Sequence, residues 1–506
     1  MLSLEQETSA SARLKSLWIP RFRFYTVVAL AALALTVPLL VFIHGGVRGD
    51  VWWVWKSGQW MFQHHRILMK NPAGWSGAAL AGRPWVNLEW GWELLLYILN
   101  PHQNPLVFLL ILFVFEVLMM AAFFWAQKAV APRLTPELAM GLYAVYACFI
   151  FPFTVKLRAE LFSYVAFPVL LGILWRGRQN PRWLWALAPL TLVWANIHGS
   201  FLMIVVLSLL ETLFSLWRRR WDLARLEAIR GLLLPLAISV LFTPEHWHVL
   251  TYSWWLDHNR EITNYIQEWQ PINFRNPAFA VWPVLVVLSW IWRSRSRAPY
   301  PGVLDLWFLG ITFAFFDEVR MVTYFGMVFI LWWAYGLGQS ERYQTWLPTD
   351  RGCRPLRWGL GVGLSAALLA GVGVGIVKGR EIDQAPVPGA VVSWLHRHPH
   401  QVVFEPNAVG GYLIARNVHG VFIDGRADFF LANDHRFQDY VKLVIGTAHP
   451  AQVASIFHRN QVDVVIWPYH HIDDNLAWFM ARDHWRKVLV KGGWAVFVPP
   501  AASRSS

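Results

Sequence analysis

Residues 86–99, VNLEWGWELLLYIL, are apolar enough to be read as a membrane span but are short for one. They carry Glu89 and Glu93 and run into Asn100-Pro101, whereas a helix needs about 20 predominantly apolar residues to cross the hydrocarbon core. Loop charge decides how the segment is counted. If 86–99 does not cross, one side of the membrane receives the N-terminus, Lys128 and Arg133, Arg176, Arg178 and Arg182, Arg218 to Arg220 with Arg225 and Arg230, Arg293, Arg295 and Arg297, and Arg342, Arg351, Arg354 and Arg357. That is a consistent positive-inside pattern. If 86–99 crosses, the later arginine clusters fall on the opposite side and the pattern breaks repeatedly. The segment is therefore read as a helix dipping into, or lying on, the outer face.

Working outward, the expected spans are 24–43, 105–127, 137–153, 160–175, 183–197, 200–217, 229–243, 278–293, 302–316, 321–337 and 358–377. The fold class is mainly α, a polytopic membrane bundle of about 11 spans. Residues 1–23 form a cytoplasmic tail, 24–377 the transmembrane domain with outer loops 44–104 and 244–277, and 378–506 a small external α/β domain. The first span follows four basic residues and lacks an A-x-A cleavage pattern, so it reads as uncleaved. Composition agrees: of 506 residues, 56% are hydrophobic and 15% charged, too few charges to cover a soluble protein of this size. The 33 Trp suit the membrane–water boundary. The formal charge of +13 is spread in clusters between apolar runs, which records orientation and speaks against a nucleic-acid partner. Cys148 and Cys353 offer neither a disulfide pair nor a metal spacing.

From Pro386 the pattern changes. Helix-like VVSWLHRHP precedes QVVFEP, GGYLIA, HGVFIDGRADFF, VDVVIWP and VLVKGGWAVFVP, short β-branched runs alternating with amphipathic ones, with Gly492-Gly493 as a hairpin turn. This segment has its own apolar strands and is expected to fold alone. The stretch from Asp424 through Arg426 to Asp428 is either a ligand-bearing strand end or a turn closed by an Asp–Arg pair.

The expected outer face gathers the chemistry. Asp50 follows the first span and precedes the aromatic run Trp52, Trp53, Trp55, Trp60. Its carboxylate is either a helix N-cap or a group that takes a proton or holds a metal. Short hairpins bring Arg158 and Glu160, then Asn196 and His198, then Arg320 after an acidic pair; the second loop brings Glu268 and Trp269. Glu89 stands on the outer-face helix. Ionisable groups at helix ends that face a bundle interior need partners and commonly line a site.

The order of these features resembles the GT-C superfamily of membrane glycosyltransferases, which includes protein O-mannosyltransferases and lipid A aminoarabinose transferases. The resemblance rests on the first span followed by Asp50 in a long loop, the outer-face helix at 86–99, the hairpins TVKLRAELF and WANIHGSF, the loop ending in Glu268-Trp269, Arg320, and an external domain with GGYL and IDGRAD. It looks most like bacterial members, and so implies a multi-pass protein of the bacterial cytoplasmic membrane, N-terminus inside and C-terminal domain outside. It also implies transfer of a sugar from a polyprenyl-phosphate donor to a glycan, lipid or protein acceptor. Asp50 carries over as the catalytic carboxylate, with Glu89, Arg158, Glu160, Asn196, His198, Glu268, Trp269 and Arg320 as substrate-binding residues. No cofactor is certain from the pattern, and a divalent metal is compatible with it. Asp50 lacks the adjacent second acid of many members and the WWDYG motif of oligosaccharyltransferases is absent, which points away from a pyrophosphate-linked oligosaccharide donor with an obligatory metal. Two other classes remain open: a transporter, against which stand the absence of an internal repeat and the gathering of the polar groups at one face, with Glu116 the one acid deep in a span, and a non-catalytic scaffold.

Overall fold

The computed structural model describes residues 26–40, 49–151, 155–295, 302–339, 386–445, 447–469, 476 and 480–500. The expected tail 1–23 and the span 358–377 lie outside the described residues. Four described helices are long and apolar enough to cross a membrane: Pro105–Val130, Glu160–Gly177, Gly199–Trp217 and Val319–Gly338. Their starts follow from local chemistry. Asn104 accepts the Leu106 N–H at 2.9 Å ahead of Pro105, and Thr135 accepts from Leu138 ahead of Pro136, an N-cap followed by a proline whose missing N–H costs nothing in the first turn.

The other spans expected within the described residues coincide with shorter or broken helices. The 183–197 segment is a 3₁₀ turn, Pro181–Ala186, followed by Leu187–Trp194. The 229–243 segment starts as a π turn, Ala228–Leu233, before Leu234–Phe242. Pro235 has no N–H to give the carbonyl one turn back, and the widened turn lies directly ahead of it. Residues 86–99 hold a helix only over Trp90–Leu99, about 15 Å of rise, half of what the hydrocarbon core requires. This helix packs on Val51–His64 so closely that a Cβ on Gly58 would strike the Glu93 carbonyl and the Tyr97 side chain.

The C-terminal part carries a four-stranded sheet in the order β1-β2-β4-β3, formed by β1 (Val402–Phe404), β2 (Val462–Pro468), β3 (Arg486–Lys491) and β4 (Trp494–Val498). β1 and β2 are parallel, whereas β2–β4 and β3–β4 are antiparallel. Gly492 and Gly493 turn the hairpin with φ of 55° and 77°, the left-handed pair that suits the strand twist. GGYLIA belongs to a helix, Asn407–Ala415.

This unit does not stand apart. Its Gly420 and Val421 N–H groups donate to the Gly74 and Trp75 carbonyls of the first loop at 2.8 and 2.9 Å. Gly411 packs on Trp53, and one continuous buried cluster runs from the membrane helices through the loop into the sheet. Most decisive is Arg426. Fully buried, it donates to Asp424 at 2.8 and 2.6 Å, to Asn71 at 2.9 Å and to Ser76 at 3.4 Å. The rings of Trp75, Trp85 and Phe429 surround it at 5.0–5.1 Å. Arg436 adds a 2.7 Å bond to the Ser76 carbonyl. The Asp–Arg turn reading of this motif is the one the structure adopts. The expectation of independent folding meets a physical obstacle, because two of the three residues that a buried guanidinium donates to, Asn71 and Ser76, belong to the first loop. Arg426→Ala in the full chain is expected to lower stability by ~3–5 kcal/mol, since it leaves Asp424 buried and unpaired. Thermal unfolding in detergent measures this, and an unchanged midpoint would show the clamp to be dispensable.

Candidate functional site

A cavity of about 980 Å³ opens between the ends of the membrane helices, the two loops and the C-terminal unit. Asp50, Glu89, Arg158, Glu160, His198, Glu268, Trp269 and Arg320 all line it. Asn196 does not. Its side chain accepts from the Trp90 indole at 3.1 Å and donates to the carbonyls of Leu192 and Phe242 at 2.8 and 3.1 Å. It ties three segments together, and every polar atom it could have offered a substrate is used in doing so.

Asp50 occupies the N-cap position of Val51–His64 without making a capping bond. Its Oδ1 accepts from the Trp53 indole at 3.0 Å and its Oδ2 faces the Arg158 Nε at 3.2 Å. Of the two readings of this residue, the cap is the one the geometry does not support. The approach is tight because of Gly425, where a Cβ would collide with Asp50 Oδ1 and the Trp53 ring nitrogen. The glycine of IDGRAD is there because the backbone of the C-terminal unit passes directly over this carboxylate.

Arg158 is the charge centre. Besides Asp50, its Nε lies 3.6 Å from Glu160 Oε2 and its Nη1 3.2 Å from Glu268 Oε1. Burial works against its charge, but Glu160, Asp50, Glu268 and Glu89 together overcome that and hold its proton more firmly than water would. The Arg158 guanidinium also pulls Glu268 down to about 2, helped by Lys156 at 2.9 Å. Glu89 goes the other way: burial, then the charge of Glu160, raises it well above the usual carboxylate range. Burial lowers His198 to about 4, so the ring is neutral at pH 7. Its Nδ1 accepts the Ser200 N–H at 3.2 Å and lies 3.1 and 2.7 Å from the hydroxyls of Ser163 and Ser200. Its Nε2 faces Glu89 and Glu160 at 3.8 and 4.0 Å.

Across the cavity Arg320 lies over the Trp269 ring, 3.2 Å from its centroid, and donates to Glu318 at 2.6 Å. With 39% of its side chain exposed, it is the more open of the two site arginines. Sequence reading did not single out Tyr252, Trp85 or the serines. Tyr252 and Trp85 donate to Asp428 at 2.6 and 3.2 Å, and all three line the cavity; burial raises the Asp428 carboxyl. A usable signal existed for Ser163 and Ser200, which follow Glu160 and His198 by three and two residues and so emerge near the same helix ends. Tyr252 had none beyond its place in an aromatic loop.

No protein-family model matches the chain, and no curated protein matches it in sequence. Solved structures do. The archaeal oligosaccharyltransferase AglB from Archaeoglobus fulgidus, in complex with an inhibitory peptide and a dolichol-phosphate, aligns over 95% of this chain and 75% of its own at 10% identity and a TM-score of 0.61. An Archaeoglobus fulgidus oligosaccharyltransferase in the apo form aligns over 88% and 69% at 10% identity and a TM-score of 0.59. The chain shares the fold of these oligosaccharyltransferases over most of its length. The expected resemblance is thus borne out as a likeness of fold across nearly the whole chain.

A third match, to an Archaeoglobus fulgidus oligosaccharyltransferase in complex with Zn and sulfate, covers 93% of this chain and 73% of that one at 9% identity and a TM-score of 0.50. Among the described residues, Glu89, Glu160 and His198 form one group that could hold a metal ion, with ligand atoms within 4.8 Å of one another.

The depressed Glu268 carries a pH consequence. A carboxyl held near 2 when folded, against 4.5 as its reference, contributes stability that is complete above about 4.5 and is lost as the pH falls toward 2. Thermal midpoints measured across that window should fall for the wild type and fall less for Glu268→Gln. Parallel curves would mean that Glu268 is not held by Arg158 and Lys156 in solution.

Proposed function

We propose that this chain transfers a sugar from a polyprenyl-phosphate donor to a hydroxyl- or amine-bearing acceptor, with Asp50 as the acceptor's base. The observation that carries the reading is the placement of Asp50, whose carboxylate makes no capping bond and lines the cavity, where Arg158 and the Trp53 indole fix it. A lipid carrier suits the same cavity. One wall is apolar and is formed by Leu202, Met203 and Val206 on a spanning helix, with Phe279 and Trp282 opposite. The fold likeness to a protein solved with dolichol-phosphate and a peptide supports a lipid-phosphate donor.

In this reading the acceptor oxygen or nitrogen forms a bond to the anomeric carbon while the bond from that carbon to the phosphate oxygen breaks. The departing lipid phosphate keeps the electron pair, and Asp50 receives the acceptor's proton. Charge develops on the leaving phosphate, and Arg320 is the cation placed to meet it, because Arg158 is already shared among three carboxylates. The indole of Trp269 beneath Arg320 fixes the plane of the guanidinium. We place the site on the non-cytoplasmic face: Arg176, Arg178 and Arg218 to Arg220 lie at the helix ends remote from the cavity, where the positive-inside rule puts the cytoplasm.

Purified protein incubated with a panel of radiolabelled polyprenyl-phosphate sugars tests the proposal. Wild type should release lipid phosphate with at least one donor, and Asp50→Asn should lose on the order of a hundredfold or more of that rate while keeping its abundance and thermal midpoint. The amide retains the size and can still accept from Trp53, but it cannot take a proton. Retention of most activity by Asp50→Asn would make Asp50 structural.

A further inference from the structure

We propose that Arg158 is a built-in cation that takes the place of a divalent metal at this carboxylate cluster, so that Asp50, Glu160 and Glu268 are held together without a bound ion. The inference rests on the transferase reading for its catalytic meaning, but its geometry stands alone. Three acids from three separate elements converge on one guanidinium: Asp50 ahead of Val51–His64, Glu160 at the start of Glu160–Gly177, and Glu268 in the turn Gln267–Trp269. The contacts are 3.2, 3.6 and 3.2 Å. With its Nε and Nη1 at 3.2–3.6 Å from the three acids, the guanidinium already supplies the positive charge that a cation binding oxygens at about 2.0–2.6 Å would bring. Arg158 cannot readily leave, because its neighbours Leu157 and Ala159 are both 0% exposed and pin the backbone beneath it.

Glu89, Glu160 and His198 lie beside this cluster, with ligand atoms within 4.8 Å of one another. Nδ1 of His198 faces both the Ser200 N–H at 3.2 Å and the Ser200 hydroxyl at 2.7 Å, so Nε2 carries the proton when Nδ1 accepts and is free of it when Nδ1 donates. In the first of these tautomers the atom facing Glu89 and Glu160 at 3.8 and 4.0 Å is a donor and has no lone pair for a cation. A metal among these residues requires the other tautomer and the loss of the bond from the Ser200 N–H. On this proposal the positive charge at these acids is supplied by the chain itself rather than by a bound ion. A fixed guanidinium holds carboxylates in one geometry, but it has no open coordination position to offer a substrate. Arg158 is accordingly a positioning residue, and the sugar and phosphate must be met by the side chains around it.

The test uses full-length protein in detergent and Mn²⁺ as the probe, read by the loss of the free-ion electron paramagnetic resonance signal. Wild type and Arg158→Lys should bind no stoichiometric Mn²⁺, and chelator should leave the wild-type thermal midpoint unchanged. Arg158→Ala leaves Asp50 and Glu160 without their cation, Glu268 keeping Lys156, and should gain Mn²⁺ affinity on the order of a hundredfold, the span between poorly and well-assembled oxygen sites. Mn²⁺ should also raise its thermal midpoint. Should Arg158→Ala accumulate poorly, recovery of folded protein when Mn²⁺ is present throughout purification reads the same exchange. The proposal is overturned if one Mn²⁺ per chain binds the wild type and is lost in Glu160→Gln, if chelator destabilises the wild type, or if Mn²⁺ neither binds nor rescues Arg158→Ala. None of these measurements uses a sugar donor, so a failure of the transferase reading leaves them interpretable.

Discussion

The buried pair of Asp424 and Arg426 is the constraint on which the rest of the site depends. Two opposite charges at 0% exposure are tolerated only where every remaining donor and acceptor is met. Asn71 and Ser76 meet them from the first loop, 350 or more residues away in the chain. Loop and C-terminal unit are thereby bound to one arrangement, because sliding either by a residue would strand a guanidinium in a ring of aromatic side chains. Gly425 lies between the two charged residues. The same clamp that joins the parts therefore lowers that backbone onto Asp50 and Trp53, with no room for a Cβ. Clamp and candidate base are a single mechanical unit.

Around that unit the charges are arranged in an order that water would not maintain. Glu89 and Glu268 lie in the same cavity and are pushed in opposite directions, the first upward by burial and the second downward by Arg158. Environments that separate the proton affinities of neighbouring carboxyls allow one to carry a proton while another remains an anion. The division depends on low local polarity, which the C-terminal unit supplies by covering the cavity with Phe437, Tyr440 and Val441. Removing that cover would admit water and weaken each of these couplings.

Much of the fold was legible in the sequence because membrane helices announce themselves by length and hydropathy, and loop charge settled the one ambiguous segment. Trp90–Leu99 is too short to cross, as the arginine pattern requires. Proline-broken segments such as Ala228–Leu233 were less legible, since a run of apolar residues looks alike whether its turns are α, 3₁₀ or π. Within the candidate site the charged residues could be gathered by their common side, but partner choice could not be read. Asn196 has the same hairpin credentials as His198, yet three short bonds turn it away from the cavity. Asp428 differs from Asp424 only in where its backbone exits the turn, and it is Asp428 that faces the cavity, with Tyr252 and Trp85. Such distinctions depend on contacts between distant residues, 46 and 106 apart for Asn196 and 176 and 343 apart for Asp428, which no local pattern encodes. For the same reason the expected autonomy of the C-terminal unit missed its dependence on Asn71 and Ser76.

On the proposed reading, the architecture also constrains how a substrate reaches Asp50. On that reading, Leu202, Met203 and Val206 of Gly199–Trp217 and Phe279 and Trp282 of Phe279–Ser294 give the carrier tail apolar lining without ionisable groups. A carrier tail could lie along that lining while its phosphate stopped at Arg320, on the near side of Trp269. The acceptor would then come from the side of Asp428 and Tyr252, and the two reactants would meet over Asp50. On the proposed reading, the separation of an oily entrance from a polar one is what lets a single cavity order a lipid-borne donor and a water-borne acceptor without exchanging their places.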